Sequence, residues 1–463
     1  MRVRTIKATM GAVALAVSLA GCAGPADYGR YARPRRGDAY TMPWAAAPRP
    51  DGPLPELTHD PRLRDYLACA ALANPGLKAA FEEWKAAVAR LPQVTALPEP
   101  QLTYTYFIEE IETRVGPQEQ KLALMQKFPW FGKQRLRGEV AGRAAQAAWQ
   151  RFQAEKLRVF HRVKSAYADY YHLRRAIAIT EENLTLLRHL EQVARTKFRT
   201  GTASHADVVR AQVEMGKLED RLRTLRDLRG PRSAALNAAL GRSSSVELPW
   251  PTDLPPAASE ISHRRLARLL RQSNPELLAL ESEVEKNRLG LELARKERYP
   301  DFGLGVSYVD TGGARMPGVS DSGKDPIAVT LSLDLPLWQA KYRAAEEEAR
   351  AGIRRARSAL TDRTNRVESQ VALAAYELRD ARRRENLFAG TLIPKATESL
   401  KATEAAFKTG EADFLALLDS QRQLLAFELE RERARTDQLT AHARVEMLVG
   451  RDLSAEPAED KEN

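Results

Sequence analysis

The sequence predicts a mainly α protein with a small membrane β-barrel. Internally duplicated long helical hairpins form a trimeric α-barrel, and four strands per chain enter a 12-stranded transmembrane β-barrel. Three observations carry this. Short motifs recur in the same order in the two halves of the chain. Each half holds a very long run dominated by Ala, Leu, Arg and Glu, a composition that favours long helices. Each half also holds a pair of segments in which apolar residues alternate with small or polar ones.

The duplication is read from five anchors. Asn74-Pro75-Gly76-Leu77 returns as Asn274-Pro275-Glu276-Leu277, and Pro100-Gln101-Leu102 as Pro300-Asp301-Phe302. Phe128-Pro129-Trp130-Phe131 parallels Leu335-Pro336-Leu337-Trp338. Phe198-Arg199-Thr200-Gly201 parallels Phe407-Lys408-Thr409-Gly410, and Leu240-Gly241-Arg242 parallels Val449-Gly450-Arg451. Five motifs in one order mark an internal repeat. The offset grows between the second and third anchors, so the second copy carries an insertion there. The Pro-rich stretch from Pro249 to Pro256 separates the copies. The expected organisation is a first repeat at 61–243, a linker at 244–262, a second repeat at 263–453 and a polar tail at 454–463.

Within each copy a helix starts at Asn-Pro, where proline suits the first turn. Two strands follow, then a very long helix to Thr-Gly, then a helix that ends at Gly-Arg. The first long helix, about 133–199, spans roughly 100 Å at 1.5 Å per residue. Helices at about 76–97 and 204–228 stack to match it. The second copy repeats this with 341–408, 276–298 and 412–448. Pro394 should kink or interrupt the second long helix, because proline lacks the amide donor.

The strands point to a membrane. Phe302, Leu304, Val306 and Tyr308 alternate with Gly303, Gly305 and Ser307. Ile327, Val329, Leu331, Leu333 and Leu335 alternate with Ala328, Thr330, Ser332 and Asp334. Leu102, Tyr104, Tyr106 and Ile108, then Leu122 and Leu124, repeat the pattern in the first copy. Runs of about nine residues suit tilted membrane strands. Trp130, Tyr299, Tyr308 and Trp338 sit at strand ends, as interfacial aromatics do. The polar loop from Asp310 to Pro326 reads as exposed. Four strands cannot close a barrel, and an open edge in lipid leaves backbone groups unpaired at several kcal/mol each. The chain must therefore associate, and three copies supply twelve strands, with the small and polar face toward a watery lumen. The competing reading is two soluble hairpins packed on helices. It explains the alternation, but not the aromatic ends, the repetition and the N-terminus together.

That N-terminus has Arg2, Arg4 and Lys7 before a short apolar stretch from Met10 to Ala20. It is a secretory signal in form, too short to span a bilayer stably. It runs into Leu19-Ala20-Gly21-Cys22, which resembles the lipobox of bacterial lipoproteins. The resemblance implies removal of residues 1–21 and acylation of Cys22, and two or more acyl chains anchor durably. Ala23 and Gly24 follow the cysteine where lipoprotein sorting would place Asp for inner-membrane retention, which implies the outer membrane. Residues 22–60 read as an extended, lipid-anchored segment. The only other cysteine is Cys69, on an apolar helical stretch, and with Cys22 acylated it has no disulfide partner.

The formal charge of +11 is spread through mixed-sign runs such as Glu346-Glu347-Glu348-Ala349-Arg350. Mixed runs mark solvated helix faces, and nucleic-acid binding is not expected. The seven histidines show no metal-ligand spacing with one another or with cysteine. No phosphate loop and no nucleophile elbow occurs. The expectation is no enzyme, no cofactor and no resident metal, with energy supplied by a partner.

The lipobox, the strand pairs after Pro100 and Pro300, the segment Phe128-Pro129-Trp130-Phe131-Gly132-Lys133 and the duplicated Thr-Gly turns together resemble the TolC-like outer-membrane efflux proteins. The resemblance covers about residues 60–452. Leu97-Pro98-Glu99-Pro100 and Gln126-Lys127 before the Phe-Pro-Trp-Phe run most resemble the heavy-metal (CusC/CzcC-type) outer-membrane lipoproteins of tripartite pumps. It implies a passive exit duct, a homotrimer, a periplasmic adaptor and an inner-membrane transporter, of the proton-driven RND type. Outer-membrane lipids surround such a duct in a Gram-negative bacterium, and heavy-metal cations are the implied cargo. A multidrug or type I secretion duct is the alternative cargo reading. A lipid-anchored periplasmic coiled-coil scaffold without a pore is the alternative class. In the family the two Thr-Gly turns dock the adaptor, which maps onto Thr200, Gly201, Thr409 and Gly410. The family narrows its pore with acids after these turns, which maps onto Asp207. At the matching position of the second copy stands Ala416, a departure, while Asp419 three residues on is acidic. Three Asp419 carboxylates near a threefold axis would favour cations.

Overall fold

The computed structural model describes residues 57, 61–255 and 262–453. The signal segment, Cys22, the tether apart from Leu57, and the tail lie outside the described residues. The order is α1 (Leu63–Ala73), α2 (Pro75–Thr95), β1 (Gln101–Thr113), β2 (Gly116–Phe128), α3 (Lys133–Arg199), α4 (His205–Asp227) and α5 (Arg229–Leu240). There follow α6 (His263–Ser273), α7 (Pro275–Lys296), β3 (Asp301–Thr311), β4 (Ile327–Asp334), α8 (Gln339–Leu387), a π-helical turn (Phe388–Leu392), α9 (Ile393–Thr409) and α10 (Phe414–Val449).

Two compact units emerge, each drawing on both halves of the chain. The first takes Trp84–Ala147 and Glu281–Ser358 and contains the sheet. The second is helical and takes Ala148–Leu280 with the described residues up to Glu83 and from Ala359 onward.

In the first unit the four strands form one antiparallel sheet in the order β1-β2-β3-β4. The join between the two hairpins is β2 with β3, in register from Phe128 opposite Phe302 to Lys121 opposite Val309. Each outer strand has a partner on one side only, so β1 and β4 are open edges among the described residues. Leu102, Tyr104, Tyr106, Ile108, Leu304, Val306, Val329 and Leu331 are exposed, a large apolar surface. Gly303, Gly305 and Ser307 lie on the other side of β3 and are buried. A Cβ at Gly303 would fall 2.4 Å from Ser332 Oγ, and one at Gly305 would fall 3.1 Å from Met125 Cε. Small residues alternate here because their neighbours cover them.

The insertion is the loop after β3. The first hairpin turns through Arg114 and Val115 alone, whereas Gly312 to Pro326 joins β3 to β4. That loop folds back on the first hairpin. Gly323 N donates to Val115 O at 2.7 Å, and Arg315 pairs with Glu110 at 3.0 Å and Glu112 at 3.2 Å. β2 begins earlier than the alternation at Leu122 and Leu124 indicates, because residues 116–121 pair along β1 and β3 without an apolar pattern.

In the second unit the repeat motifs become intelligible. Asn74 accepts from Leu77 N at 3.1 Å and donates to Ala239 O at 3.1 Å. Asn274 does the same with Leu277 N at 2.9 Å and Leu448 O at 2.6 Å. Each asparagine thus caps a helix that opens on proline and ties it to the end of the last helix of its own repeat. Gly241 and Gly450 close those last helices in the left-handed conformation, at φ 80° and 92°. A Cβ at Gly241 would fall 2.6 Å from Asn74 Cα, and one at Gly450 would fall 2.2 Å from Ser273 O. The Asn-Pro start and the Gly-Arg end are therefore two sides of one contact.

Pro394 interrupts the second long helix, as expected. Its missing amide and its ring clash with the preceding turn are absorbed by one π turn, in which Ile393 N donates to Phe388 O. α1 coincides with the apolar helical stretch read around Cys69 and α5 with the helix expected to end at Gly-Arg, whereas α6 has no clear signature in the sequence. α1 and α5 pack together around Tyr66, Leu236 and Leu240 against Tyr167 and Tyr170 of α3. No described helix is long and apolar enough to cross a membrane.

Candidate functional site

The two Thr-Gly turns have the same construction. At the first, Gly201 has φ 77° and Thr202 N donates to Lys197 O at 2.8 Å, closing the helix end. At the second, Gly410 has φ 90° and Glu411 N donates to Ala406 O at 2.9 Å. Nothing lies within 4 Å of a Cβ built at either glycine. Backbone conformation, not space, therefore calls for glycine here. Thr200 and Thr409 turn their hydroxyls onto the last helical carbonyls, donating to Lys197 O and Ala406 O at 3.0 Å each. A ring pair seven residues apart braces each turn. Phe198 and His205 have centroids 5.4 Å apart, and Phe407 and Phe414 5.3 Å.

One residue joins the two turns. Lys197 Nζ donates to Phe407 O at 2.6 Å and Lys408 O at 3.0 Å, and lies 5.1 Å from the Phe407 ring centroid. Both carbonyls lie in the last helical turn, where the usual amide partners run out, although Phe407 O also accepts from Gly410 N at 3.3 Å, and an ammonium suits the negative end of a helix. Nothing in the sequence separates Lys197 from its many neighbouring lysines and arginines, so its role is visible only in three dimensions.

The two acids that follow the turns have different surroundings. Asp207 is part of a capping box: its Oδ2 accepts from Ser204 N at 3.1 Å and Ser204 Oγ at 2.7 Å, while Asp207 N donates to Ser204 Oγ. In the second copy Asp413 caps the helix and accepts from Ala416 N at 2.8 Å. Ala416 thus stands where a second capping acid is not required. Asp419 has a 63% exposed side chain and pairs with Arg422 at 3.1 Å. Arg422 also bridges to Glu214 on α4, and Glu214 pairs with Lys217 at 2.7 Å. The hydrogen bond from Arg422, with help from Lys217 and against the opposing effect of burial, holds the Glu214 carboxyl below its usual range. Asp207 and Asp419 are not in contact with each other. Among the described residues, no group of three His, Cys, Asp or Glu side chains is placed to hold a metal ion.

At the sheet, Trp130 stacks on Tyr299 with centroids 5.6 Å apart, and Trp338 is exposed. All three flank strand ends on one side of the sheet. Tyr308 lies toward the other and donates from its hydroxyl to Asp325 in the long loop. Next to the Trp130–Tyr299 stack, Lys133 opens α3 with a buried side chain. Its ammonium reaches Asp301 Oδ1 at 2.8 Å, Tyr299 O at 3.0 Å and Glu297 at 3.3 Å. Asp301 also accepts from Trp130 N at 2.8 Å. This explains the lysine of the Phe-Pro-Trp-Phe-Gly-Lys segment: it ties the start of the long helix to the start of β3.

Comparison with known proteins agrees with this architecture. The chain is 22% identical over 415 residues to Nodulation protein T of Rhizobium leguminosarum bv. trifolii, covering 85% of this chain and 86% of that protein. It is 19% identical over 362 residues to the cobalt-zinc-cadmium resistance protein CzcC of Cupriavidus metallidurans, covering 78% and 83%. The solved outer-membrane channel OprN has the same fold, with a TM-score of 0.70 at 18% identity, over 85% of this chain and 90% of that one. The family model described as "Outer membrane efflux protein" matches residues 68–242 and 266–451, nearly all of both repeats. The chain is therefore a member of the outer membrane efflux protein family, whose members are transport ducts and not enzymes.

Proposed function

We propose that this chain is the outer-membrane duct of a tripartite efflux system and works as a homotrimer. The observation that carries the reading is the four-stranded sheet with an apolar outer surface and two open edges. In lipid, β4 of one copy must pair with β1 of the next, and three copies give a closed twelve-stranded barrel. Cys22 is the lipid anchor after removal of residues 1–21, and 22–60 is the tether that follows it. The turns at Thr200-Gly201 and Thr409-Gly410 are the surfaces for a periplasmic adaptor, and an inner-membrane transporter of the proton-driven type supplies the energy. Heavy-metal cations are the proposed cargo, supported by the likeness to CzcC. Asp419 is the proposed constriction, its charge shared with Arg422, with Asp207 behind it as a helix cap.

Single-channel conductance of the purified mature protein in a planar bilayer tests the duct. A discrete cation-selective conductance, increased in Asp419→Ala, is the expected result. Well-folded trimers without conductance would leave a lipid-anchored scaffold in its place. Growth of a deletion strain under zinc, cobalt or cadmium, restored by this chain, tests the cargo. Rescue under drug challenge alone would assign a multidrug duct.

A further inference from the structure

In the first compact unit a cavity of about 600 Å³ is lined by Arg295, Lys296, Arg298, Tyr299, Glu346 and Arg350. Four cations thus surround one carboxylate. Glu346 is 7% exposed, and three guanidinium groups converge on it: Arg298 at 2.7 Å, Arg350 at 3.1 Å and Arg295 at 3.9 Å. Each guanidinium has five N–H donors, whereas a carboxylate offers about four acceptor sites. Glu346 therefore holds the three arginines together without satisfying them. Lys296 has no carboxylate partner among the described residues. Its chain passes over Gly132, where a Cβ would fall 3.3 Å from Lys296 Cε, and its ammonium lies 5.7 Å from the Tyr299 ring centroid.

The position of the cavity narrows the ligand. Arg298 stands three residues before Asp301, the first residue of β3, a distance of at most about 10 Å along the chain. The Trp130–Tyr299 stack lies at the same end of the strands. If β3 crosses the hydrocarbon, this level is the headgroup zone, a layer of roughly 5–8 Å on each side of the core. Arginine forks and an ammonium in one cavity match the oxygens of a phosphate group.

We propose that this cavity binds a phosphate group at the base of the sheet, donated by an anionic phospholipid of the surrounding leaflet. The cations grip the phosphodiester, Glu346 keeps the guanidinium groups in place, and the Trp130–Tyr299 stack lies against the glycerol region. Each protomer would then carry its own lipid anchor point, separate from acylation at Cys22. The lipid source rests on the membrane-spanning reading of the strands.

Native mass spectrometry of the full mature protein in detergent, with added phosphatidylglycerol or phosphatidylcholine, tests this. Phosphatidylglycerol should be retained in preference to phosphatidylcholine. Lys296→Gln, which breaks no ion pair, should weaken that retention about fivefold, the worth of one basic residue at a lipid surface. Glu346→Gln keeps an amide oxygen to hold the arginines, removes the one competing anion and should strengthen it. Inorganic phosphate, titrated against the same variants by thermal shift, separates the sources. A phosphate response that follows the variants, with no lipid preference, would keep the anion site and overturn the lipid as its occupant. Equal retention of both lipids, no phosphate response and no effect of Lys296→Gln would overturn the site. Conductance recorded on the same preparation tests the duct independently, since lipid binding needs no open pore.

Discussion

Lys197, at the turn of the first repeat, donates from Nζ to the Phe407 carbonyl at the turn of the second, at 2.6 Å. The contact links the two hairpin ends through a single side chain, at a helix terminus where carbonyls lack their full set of amide partners. A charge-assisted hydrogen bond of this kind contributes about 1.5–3 kcal/mol when shielded and less when partly exposed. Lys197→Ala should therefore loosen the turns without unfolding the helices. Under the duct reading, the open probability in planar bilayers should rise severalfold while thermal stability stays within about 1 kcal/mol. An unchanged open probability would show that the tie has no part in gating.

The glycines should divide into two classes. Gly201 and Gly410 require only a positive φ, so alanine there should cost about 1–2 kcal/mol. Gly241 and Gly450 have positive φ and also lie against the backbone of the Asn-Pro starts. Alanine there adds the cost of overpacking, typically 1–3 kcal/mol more. Thermal midpoints in detergent should fall further for Gly241→Ala and Gly450→Ala than for Gly201→Ala. Equal losses would mean that the interface gives way easily.

Lys133→Met should strand the Asp301 carboxylate and the Tyr299 carbonyl, which its ammonium now satisfies. Breaking a buried pair from one side costs 3–5 kcal/mol, and the partial exposure of Asp301 reduces this to about 2–3. The expected readout is a lower yield of heat-resistant oligomer on gels. Lys133→Met with Asp301→Leu should recover part of it, because no lone charge then remains.

The second unit should have a pH dependence centred on His442 and Glu446. Burial, with the nearby Lys164 ammonium adding to it, lowers His442 from its ordinary 6.5 to about 4. Burial raises Glu446 to about 7, against the pull of Lys164, which contacts it directly. Asp452 also faces both groups and opposes the lowering at His442. Because the unfolded chain protonates His442 first, its contribution is complete above pH 6.5 and is lost as pH falls toward 4, up to about 3 kcal/mol. Glu446 has the opposite sign: its contribution is complete below its ordinary 4.5 and is lost as pH rises through 7. Wild-type stability should therefore be fairly flat, while the two variants uncover the slopes. Relative to His442→Asn, the wild type should lose stability between pH 6.5 and 4. Relative to Glu446→Gln, it should lose stability as pH rises through 7. Parallel curves would refute the assignment.

Much of the architecture was legible in the chain itself. Period-2 alternation at 302–308 and 327–335 located β3 and β4, because a pleated strand sends neighbouring side chains to opposite faces. The long helix at 133–199 was legible because no proline interrupts it, and Pro394 marked the break in its counterpart. The Thr-Gly turns announced themselves twice, and their glycines take the left-handed conformation that glycine adopts without penalty. α1 and α5 were legible only as the apolar helical stretch around Cys69 and the helix that ends at Gly-Arg, and α6 was not legible. Their bounds are set by packing on distant tyrosines and leucines, as α1 and α5 pack on α3.

The candidate site divides the same way. The sequence alone determined the duplication and the positions of the turns, because repetition and helix caps are local in the chain. Only the tertiary structure decided which cations meet which acceptors: Lys197 with the Phe407 carbonyl, Lys133 with Asp301, and three arginines with Glu346. Among 72 basic residues, no local pattern distinguishes these few. An ion pair depends on a separation of a few ångströms in space, and residues 210 or 168 positions apart reach it only after the helices and the sheet have packed.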